Sequence, residues 1–280
     1  MSRFYFKQGI DVYVGEGRKK DFDTFYDTWG KLSDQDLSSL FEQGTLHLVV
    51  SDLSGRLQVN SLVSAKTETA ASAKVTREIL KRLLLSENFG ITEESQAVGI
   101  IDSLVDWIDK DDRESDFGAE DSYYRSLEHP YGCKNGPVSS LEELLLVKGI
   151  TPEILYGNKE HMGLAQYLTV YGNDGKININ TVDPVLLQAM DILMTPEMAK
   201  DIIEYREREE NKEKLSSIHW YKEVANLPGD VTISDKVLTV KSSYFMITAE
   251  SGLNSLQQTR VAVVNRSLEG KPVRLYEKVD

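Results

Sequence analysis

Strand-like alternation of apolar and polar residues stands near both ends of this chain, and helical periodicity fills everything between. Thr45–Leu62 (TLHLVVSDLSGRLQVNSL) alternates on both sides of Asp52-Leu-Ser-Gly55. Three further alternating runs follow Pro228-Gly229: VLTVKSSYFMITAES, TRVAVVNRS and KPVRLYEKV, separated by turn residues such as Gly252, Asn254 and Gly270. Period two places every second side chain on one face of a sheet. The simplest fold with strands at both ends is α+β: an antiparallel sheet domain built from both chain ends, with a large all-helical domain inserted. The expected boundaries are 1–65 for the first part of the sheet domain, 66–235 for the helical insertion and 236–280 for the closing strands. Within the first part, the glycine of Asp52-Leu-Ser-Gly55 predicts a two-strand hairpin over Thr45–Leu62. Phe4 to about Val14 reads as a short helix stopped by Gly15 and Gly17.

The helical block carries its own punctuation. Val75, Ile79, Leu80, Leu83 and Leu84 mark one amphipathic helix. Thr92 with Glu93 and Glu94 opens a second, along which Ala97, Ile101, Leu104 and Ile108 recur, and which ends at about Asp109. Ser139 with Glu142 reads as a capping box before Leu141–Val147, with Gly149 as the stop. Thr151-Pro152-Glu153 and Thr195-Pro196-Glu197 each read as an N-cap, a proline in the first turn and an acid. Upstream of these two starts Leu141 aligns with Val185, Leu145 with Ala189 and Ile150 with Met194. Two origins fit, an internal duplication of a helix–turn–helix unit and independent reuse of good capping chemistry.

Apolar residues make up 40% of the 280 positions, enough for a sizeable core. The formal net charge is −13, which repels a phosphate backbone and suits cations or basic protein surfaces. Cys133 is the single cysteine, so neither an internal disulfide nor a cysteine-based metal site can form. No apolar run approaches the ~18–20 residues that span a bilayer, and no leader peptide is visible. His47, His129, His161 and His219 are scattered without ligand spacing, no Gly-x-Ser-x-Gly elbow occurs, and Gly15-Glu-Gly17 lacks the third glycine of a dinucleotide fingerprint.

The densest chemistry lies in DWIDKDDRESDFGAEDSYY, Asp106–Tyr124. Asp102, Asp106 and Asp109 share one helix face, and the last two sit at the negative end of the helix dipole, where a carboxylate is disfavoured. Asp111, Asp112, Glu114, Asp116, Glu120 and Asp121 compound the repulsion, which a bound cation would relieve. An oxygen-only donor set points to Ca²⁺ before Mg²⁺. The spacing is not that of an EF-hand: with Asp109 as position 1, Arg113 and Glu114 stand where a ligand and the turn glycine belong. A solvated acidic loop and a catalytic carboxylate pair are the other two readings open on charge and spacing alone.

GKININTVDPVLLQAMDILMTPEMAKDIIEYRERE resembles the helix-hairpin-helix unit of competence-type DNA receptors through Asn178, Asn180, Thr181, Leu186, Leu187, Ala199, Ile202, Ile203 and Arg206. Its hairpin, Asp191-Ile-Leu-Met-Thr-Pro-Glu, has two acids and no glycine, so the backbone cradle for a phosphate is missing. A helix-hairpin-helix nucleic-acid-binding protein is therefore the alternative reading.

Taken in order, these motifs resemble one family, the K-type minor pseudopilins of the bacterial type II secretion system. The resemblance rests on Asp52-Leu-Ser-Gly-Arg-Leu-Gln-Val-Asn-Ser-Leu, Asp106-Trp-Ile-Asp with Gly118-Ala-Glu-Asp121 and Tyr124, Gly136-Pro-Val-Ser-Ser-Leu-Glu-Glu-Leu, Gly175-Lys-Ile-Asn-Ile-Asn-Thr181 and the Ser242–Phe245 strand. It implies a pilin-like sheet domain around a large helical insertion with helix-hairpin-helix-like units. It also implies a non-enzymatic role in protein export across the outer membrane, at the tip of the pseudopilus, with the minor pseudopilins of types I and J as partners. Secreted substrates and the outer-membrane secretin are further contacts it suggests; nucleic acid is not. The family's calcium-binding acidic motif falls on Asp106, Asp109, Asp111, Glu120 and Asp121; Asp116 joins this expected structural Ca²⁺ set on chemistry alone. Asp112 and Glu114 are expected to be solvent-facing spacers. Family members carry a basic leader and one N-terminal apolar helix in the inner membrane. Neither is present in this sequence, which is expected to be the periplasmic part beginning after that helix.

Overall fold

The computed structural model describes residues 21–31, 35–36, 38–40, 43–64, 70–266 and 272–280. The short helix expected over Phe4–Val14 lies outside the described residues, as do Gly15, Gly17 and the turn residue Gly270.

Five strands form one antiparallel sheet: β1 (Gln35–Asp36), β2 (Thr45–Asp52), β3 (Tyr244–Leu253), β4 (Leu256–Asn265) and β5 (Val273–Val279), side by side in that order. β2 runs its whole length along β3, from Thr45 opposite Gly252 to Asp52 opposite Phe245. The N-terminal strands thus enter a sheet whose remaining members come from the C-terminus. Leu46, Leu48 and Val50 alternate inward from β2 and meet Phe245, Ile247, Ala249, Ala262 and Val264. Trp29, from a one-turn helix α1 (Thr28–Lys31), closes this cluster and meets the Phe245 ring edge-on at 5.2 Å.

The hairpin expected over Thr45–Leu62 does not form. Beyond Asp52 the chain leaves the sheet: Leu57–Gln58 pairs in parallel with Leu168–Thr169 instead of antiparallel with β2. Leu57, Val59 and Leu62 are buried in the helical core, not on the sheet. The physical reason is the Asp52 carboxylate. It accepts the Ser54 N–H at 2.7 Å, the Thr181 hydroxyl at 2.6 Å and the Ser242 hydroxyl, and so turns the chain toward the helical block. Gly55 lies against Thr181 there; a Cβ would stand 2.7 Å from Thr181 Oγ1 and 2.9 Å from its backbone.

The helical block runs through α2 (Ala70–Leu84), α3 (Glu94–Ile108), α4 (Asp121–Arg125), α5 (Pro152–Tyr156), α6 (Pro184–Ala189) and α7 (Pro196–Arg206), joined by 3₁₀ turns. Ile79, Leu80, Leu83 and Leu84 bury the inner face of α2, each side chain worth about 1.5–3 kcal/mol. α3 starts after Glu93, one residue beyond the expected Thr92 cap. Thr151 and Thr195 do cap α5 and α7, accepting from Ile154 N at 3.3 Å and Met198 N at 3.2 Å. Ser139 and Glu142 do not form a capping box. Leu141–Leu146 is a 3₁₀ helix, and it is Glu143 that reaches back to the Ser139 N–H at 2.9 Å. Glu143 also takes Lys134 and the Trp107 indole N–H, partners that sequence spacing does not reveal. Among the described residues no helix is long and apolar enough to cross a membrane.

Candidate metal centre

α3 carries the acidic loop at its C-terminal end. Ile100, Ile101, Leu104, Val105 and Ile108 anchor the helix in the core, and the same packing draws Asp106 to full burial. A buried carboxylate needs donors. Ser115 supplies them, its N–H lying 3.1–3.2 Å from both oxygens and its hydroxyl donating to Oδ1 at 2.6 Å. That folds the loop back over the helix end, where Asp102 accepts the Phe117 N–H at 3.2 Å and Lys148 donates to the Gly118 carbonyl at 2.7 Å. Gly118 packs directly on Asp106, and a Cβ there would collide with Asp106 Oδ2. The Gly-Ala-Glu-Asp step therefore has a steric origin.

The six expected ligands separate into two groups. Asp109 and Glu120 form one group with the acids beside them: Asp111 and Asp106 act on Asp109, and Asp106 and Asp109 act on Glu120. Burial, then Asp111 and Asp106, pushes Asp109 up to about 6. Burial, then Asp106 and Asp109, pushes Glu120 up to about 7. Glu120 is 3% exposed, and neither of its carboxylate oxygens has a hydrogen-bond partner. The Cys133 thiol lies beside it and favours its charged form, which partly offsets burial, although the contact that meets hydrogen-bond geometry runs from the thiol to the Asp106 carbonyl at 3.6 Å. Asp109, the C-cap of α3, likewise buries an unpartnered Oδ1. Asp111 is exposed and accepts the Arg113 N–H at 3.0 Å.

Asp116 and Asp121 stand apart from this group. Asp116 is exposed and makes no hydrogen bond or ion pair among the described residues. Asp121 pairs with Arg125, which holds its carboxyl below the ordinary range, and also accepts the Cys133 N–H at 3.1 Å. Asp112 and Glu114 are exposed, although Asp112 accepts the Asn135 amide at 2.8 Å. Sequence reasoning missed Asn135. Its Oδ1 is a buried oxygen without a partner beside the loop, and its backbone holds a positive φ of 48°. The Asn-Gly step at 135–136, a turn signature, was the available signal. Among the described residues no three His, Cys, Asp or Glu side chains converge on one point as a metal cage. What the loop offers is four unpartnered buried oxygens on Asp109, Glu120 and Asn135. Glu120 can satisfy its pair by holding a proton, as a pKa of about 7 permits, or by taking a cation.

Burial pushes the Cys133 thiol up to about 12, so it is no thiolate nucleophile. Tyr124 is buried, stacked on Tyr131 at 5.4 Å and edge-on to Trp107 at 5.1 Å, as part of the core beneath the loop. In the helix-hairpin-helix segment, Asn180 donates to the Asp23 and Leu215 carbonyls and accepts from the Trp220 indole, while Arg206 donates to the Ile179 and Val182 carbonyls. These side chains brace the fold. The hairpin N–H of Leu193 donates to the Asp191 carboxylate at 2.8 Å.

Comparison with known proteins agrees with this anatomy. The family model described as "Type II secretion system (T2SS), protein K" matches residues 55–169, which include the Gly55 contact and the whole acidic loop. The chain is 26% identical over 258 residues to the type II secretion system protein K of Pseudomonas aeruginosa, covering 92% of this chain and 71% of that protein. It is 31% identical over 211 residues to the protein K of Aeromonas hydrophila and 32% over 190 residues to that of Pectobacterium carotovorum, spanning 57% and 53% of their lengths. The fold superposes, with a TM-score of 0.71 and 17% identity, on a chain of the crystal structure of the GspK-GspI-GspJ complex from the enterotoxigenic Escherichia coli type 2 secretion system; the match covers 100% of this chain and 95% of that one. Residues 55–169 thus match the model of the type II secretion system protein K family, and over 92% of its length the chain is similar to a protein K of another bacterium.

Proposed function

We propose that the protein is a non-enzymatic minor pseudopilin that works in the periplasm at the tip of a type II secretion pseudopilus, assembled with the minor pseudopilins of types I and J. The observation that supports this is the full-length fold likeness to a chain of the GspK-GspI-GspJ complex. Co-expression of this chain with its own type I and type J counterparts, followed by size-exclusion chromatography, tests it. A stable ternary species is expected; independent elution of the three proteins contradicts the reading.

Within that role the acidic loop holds a structural Ca²⁺. Glu120 carries this reading, because two buried carboxylate oxygens without a donor are costly unless protonated or bound to a cation. Glu120, Asp109 and the Asn135 carbonyl oxygen would be the main ligands, with Asp106 and Asp111 beside them and exposed Asp116 and Arg125-paired Asp121 contributing least. The ion would supply the positive charge that the helix end and loop lack, locking the loop to α3 and α4. Thermal unfolding with excess Ca²⁺ and with chelator tests the site, and coincident curves would remove it.

A further inference from the structure

Asn135-Gly136 is the single Asn-Gly step of the chain, and it closes over the end of α3 beside the acidic loop. An asparagine before glycine is the pair most open to spontaneous deamidation, because no side chain shields the next backbone nitrogen from the asparagine Cγ. In this fold both reacting groups are held. The Gly136 N–H donates to the Trp107 carbonyl at 3.2 Å, which ties down the nucleophile. Asn135 Nδ2 donates to Asp112 Oδ1 at 2.8 Å and to the Asp111 carbonyl at 3.3 Å, which ties down the leaving group. The neighbours on the N-terminal side are clamped as well, the Cys133 N–H on the Asp121 carboxylate and Lys134 on Glu143.

Packing does not ask for glycine at 136. Its backbone holds no left-handed φ, and a Cβ there would come no nearer than 3.7 Å to the Lys134 carbonyl oxygen, an ordinary contact. What the missing side chain leaves open is the approach to Asn135. We propose that Asn135 is a modification site, a one-way record of loop opening: the folded contacts keep its amide intact, and lasting exposure converts it to a carboxylate that keeps the segment from closing again. On opening, base removes the Gly136 amide proton and the nitrogen attacks Asn135 Cγ. The N–Cγ bond forms, the Cγ–Nδ2 bond breaks, and Nδ2 leaves as ammonia. Water then opens the cyclic imide at either carbonyl to give aspartate or isoaspartate, so water enters for the ammonia lost. The product puts an acceptor where Nδ2 donated, facing the Asp112 carboxylate and the Asp111 carbonyl, which are acceptors themselves. Isoaspartate also lengthens the main chain by one carbon and carries the Gly136 N–H away from Trp107.

The full chain is incubated at mildly alkaline pH in buffer and in urea, and conversion at each asparagine is followed by peptide mass spectrometry with isoaspartyl methyltransferase labelling. Chelator is present throughout, so the outcome is independent of the calcium reading. In urea Asn135 should convert faster than every other asparagine, and in buffer it should convert about tenfold more slowly or less, since each turnover waits for the segment to open. Gly136→Ala should slow the urea rate about tenfold, because its Cβ obstructs the attack, and should leave the melting temperature unchanged. Deamidated chain, separated by ion exchange and returned to buffer, should exchange the Gly136 amide about tenfold faster than the unmodified chain. Asn135→Asp should do the same, and adding Asp112→Asn, which reverses donor and acceptor, should recover part of the protection. Equal rates in buffer and urea, no lead of Asn135 over the other asparagines in urea, or full Gly136 protection in the deamidated chain would each overturn the proposal.

Discussion

Asp23 and Arg266 lie 243 positions apart and form a buried ion pair with 2% and 5% of their side chains exposed. Around it, Asp23 Oδ2 accepts the Ser242 N–H at 2.8 Å, its carbonyl accepts from Asn178 and Asn180, and the Arg266 guanidinium stacks over the Phe245 ring at 4.9 Å. One junction thereby joins the N-terminal segment, the helix-hairpin-helix asparagines and the end of β4. Replacing Arg266 with Met should cost about 3–5 kcal/mol, because Asp23 would stay buried without its partner. Urea unfolding measures the loss, and a second substitution, Asp23→Asn, should recover part of it.

Asp52 makes stability fall with rising pH. Its ordinary pKa is 3.8, and burial raises the folded-state value despite the Ser242 and Thr181 hydroxyls and the Ser54 N–H. The folded state therefore keeps this proton to higher pH than the unfolded chain does. The Asp52 contribution is most favourable below about 3.8, declines as pH rises through the raised folded pKa, and is flat above it. The advantage of Asp52→Asn over the wild type should grow across that window in urea unfolding at several pH values. A constant difference would mean that Asp52 titrates alike in both states.

Gly55 admits no side chain. Ala at this position would press its Cβ on the Thr181 backbone 2.9 Å away, so Gly55→Ala should cost about 1–3 kcal/mol. A melting temperature equal to the wild type would show that the Asp52–Thr181 contact gives way more easily than its hydrogen bonds suggest.

Calcium should raise the melting temperature, by about 5–10 °C at a hundredfold excess over Kd. Glu120→Gln should abolish the shift, since it removes the charge of the two unpartnered oxygens. Asp116→Asn should leave it nearly intact, because Asp116 is exposed and pairs with nothing among the described residues. If Asp116→Asn were the more damaging of the two, the ligand assignment would be reversed.

Much of this anatomy was readable without coordinates. The Thr-Pro-Glu starts at Thr151 and Thr195 are helix caps. Helical spacing alone marks Ile79, Leu80, Leu83 and Leu84 as the inner face of α2, and the closing alternating runs supply β3, β4 and β5, except that Val237–Val240 at the start of the first is buried in the helical core, where Leu238–Thr239 pairs in parallel with Ile177–Asn178. Each rests on local chemistry: a side-chain oxygen capping an N–H three residues on, or a period matching one face. The Thr45–Leu62 hairpin misled because alternation says which faces are buried but not against what. Leu57, Val59 and Leu62 alternate as a strand would and are buried by helices instead.

In the acidic loop the division is the same. Spacing alone establishes that eight carboxylates crowd the end of α3 in positions 106–121, and leaves open whether a cation or solvent screens them. Only the fold decides how. Ser115 satisfies the buried Asp106, Arg125 takes Asp121, Asp116 stays in solvent, and Glu120 is buried beside Cys133 with its oxygens bare. Hydrogen-bond partners and burial come from contacts between segments far apart in sequence, and these are properties of packing that no local pattern encodes.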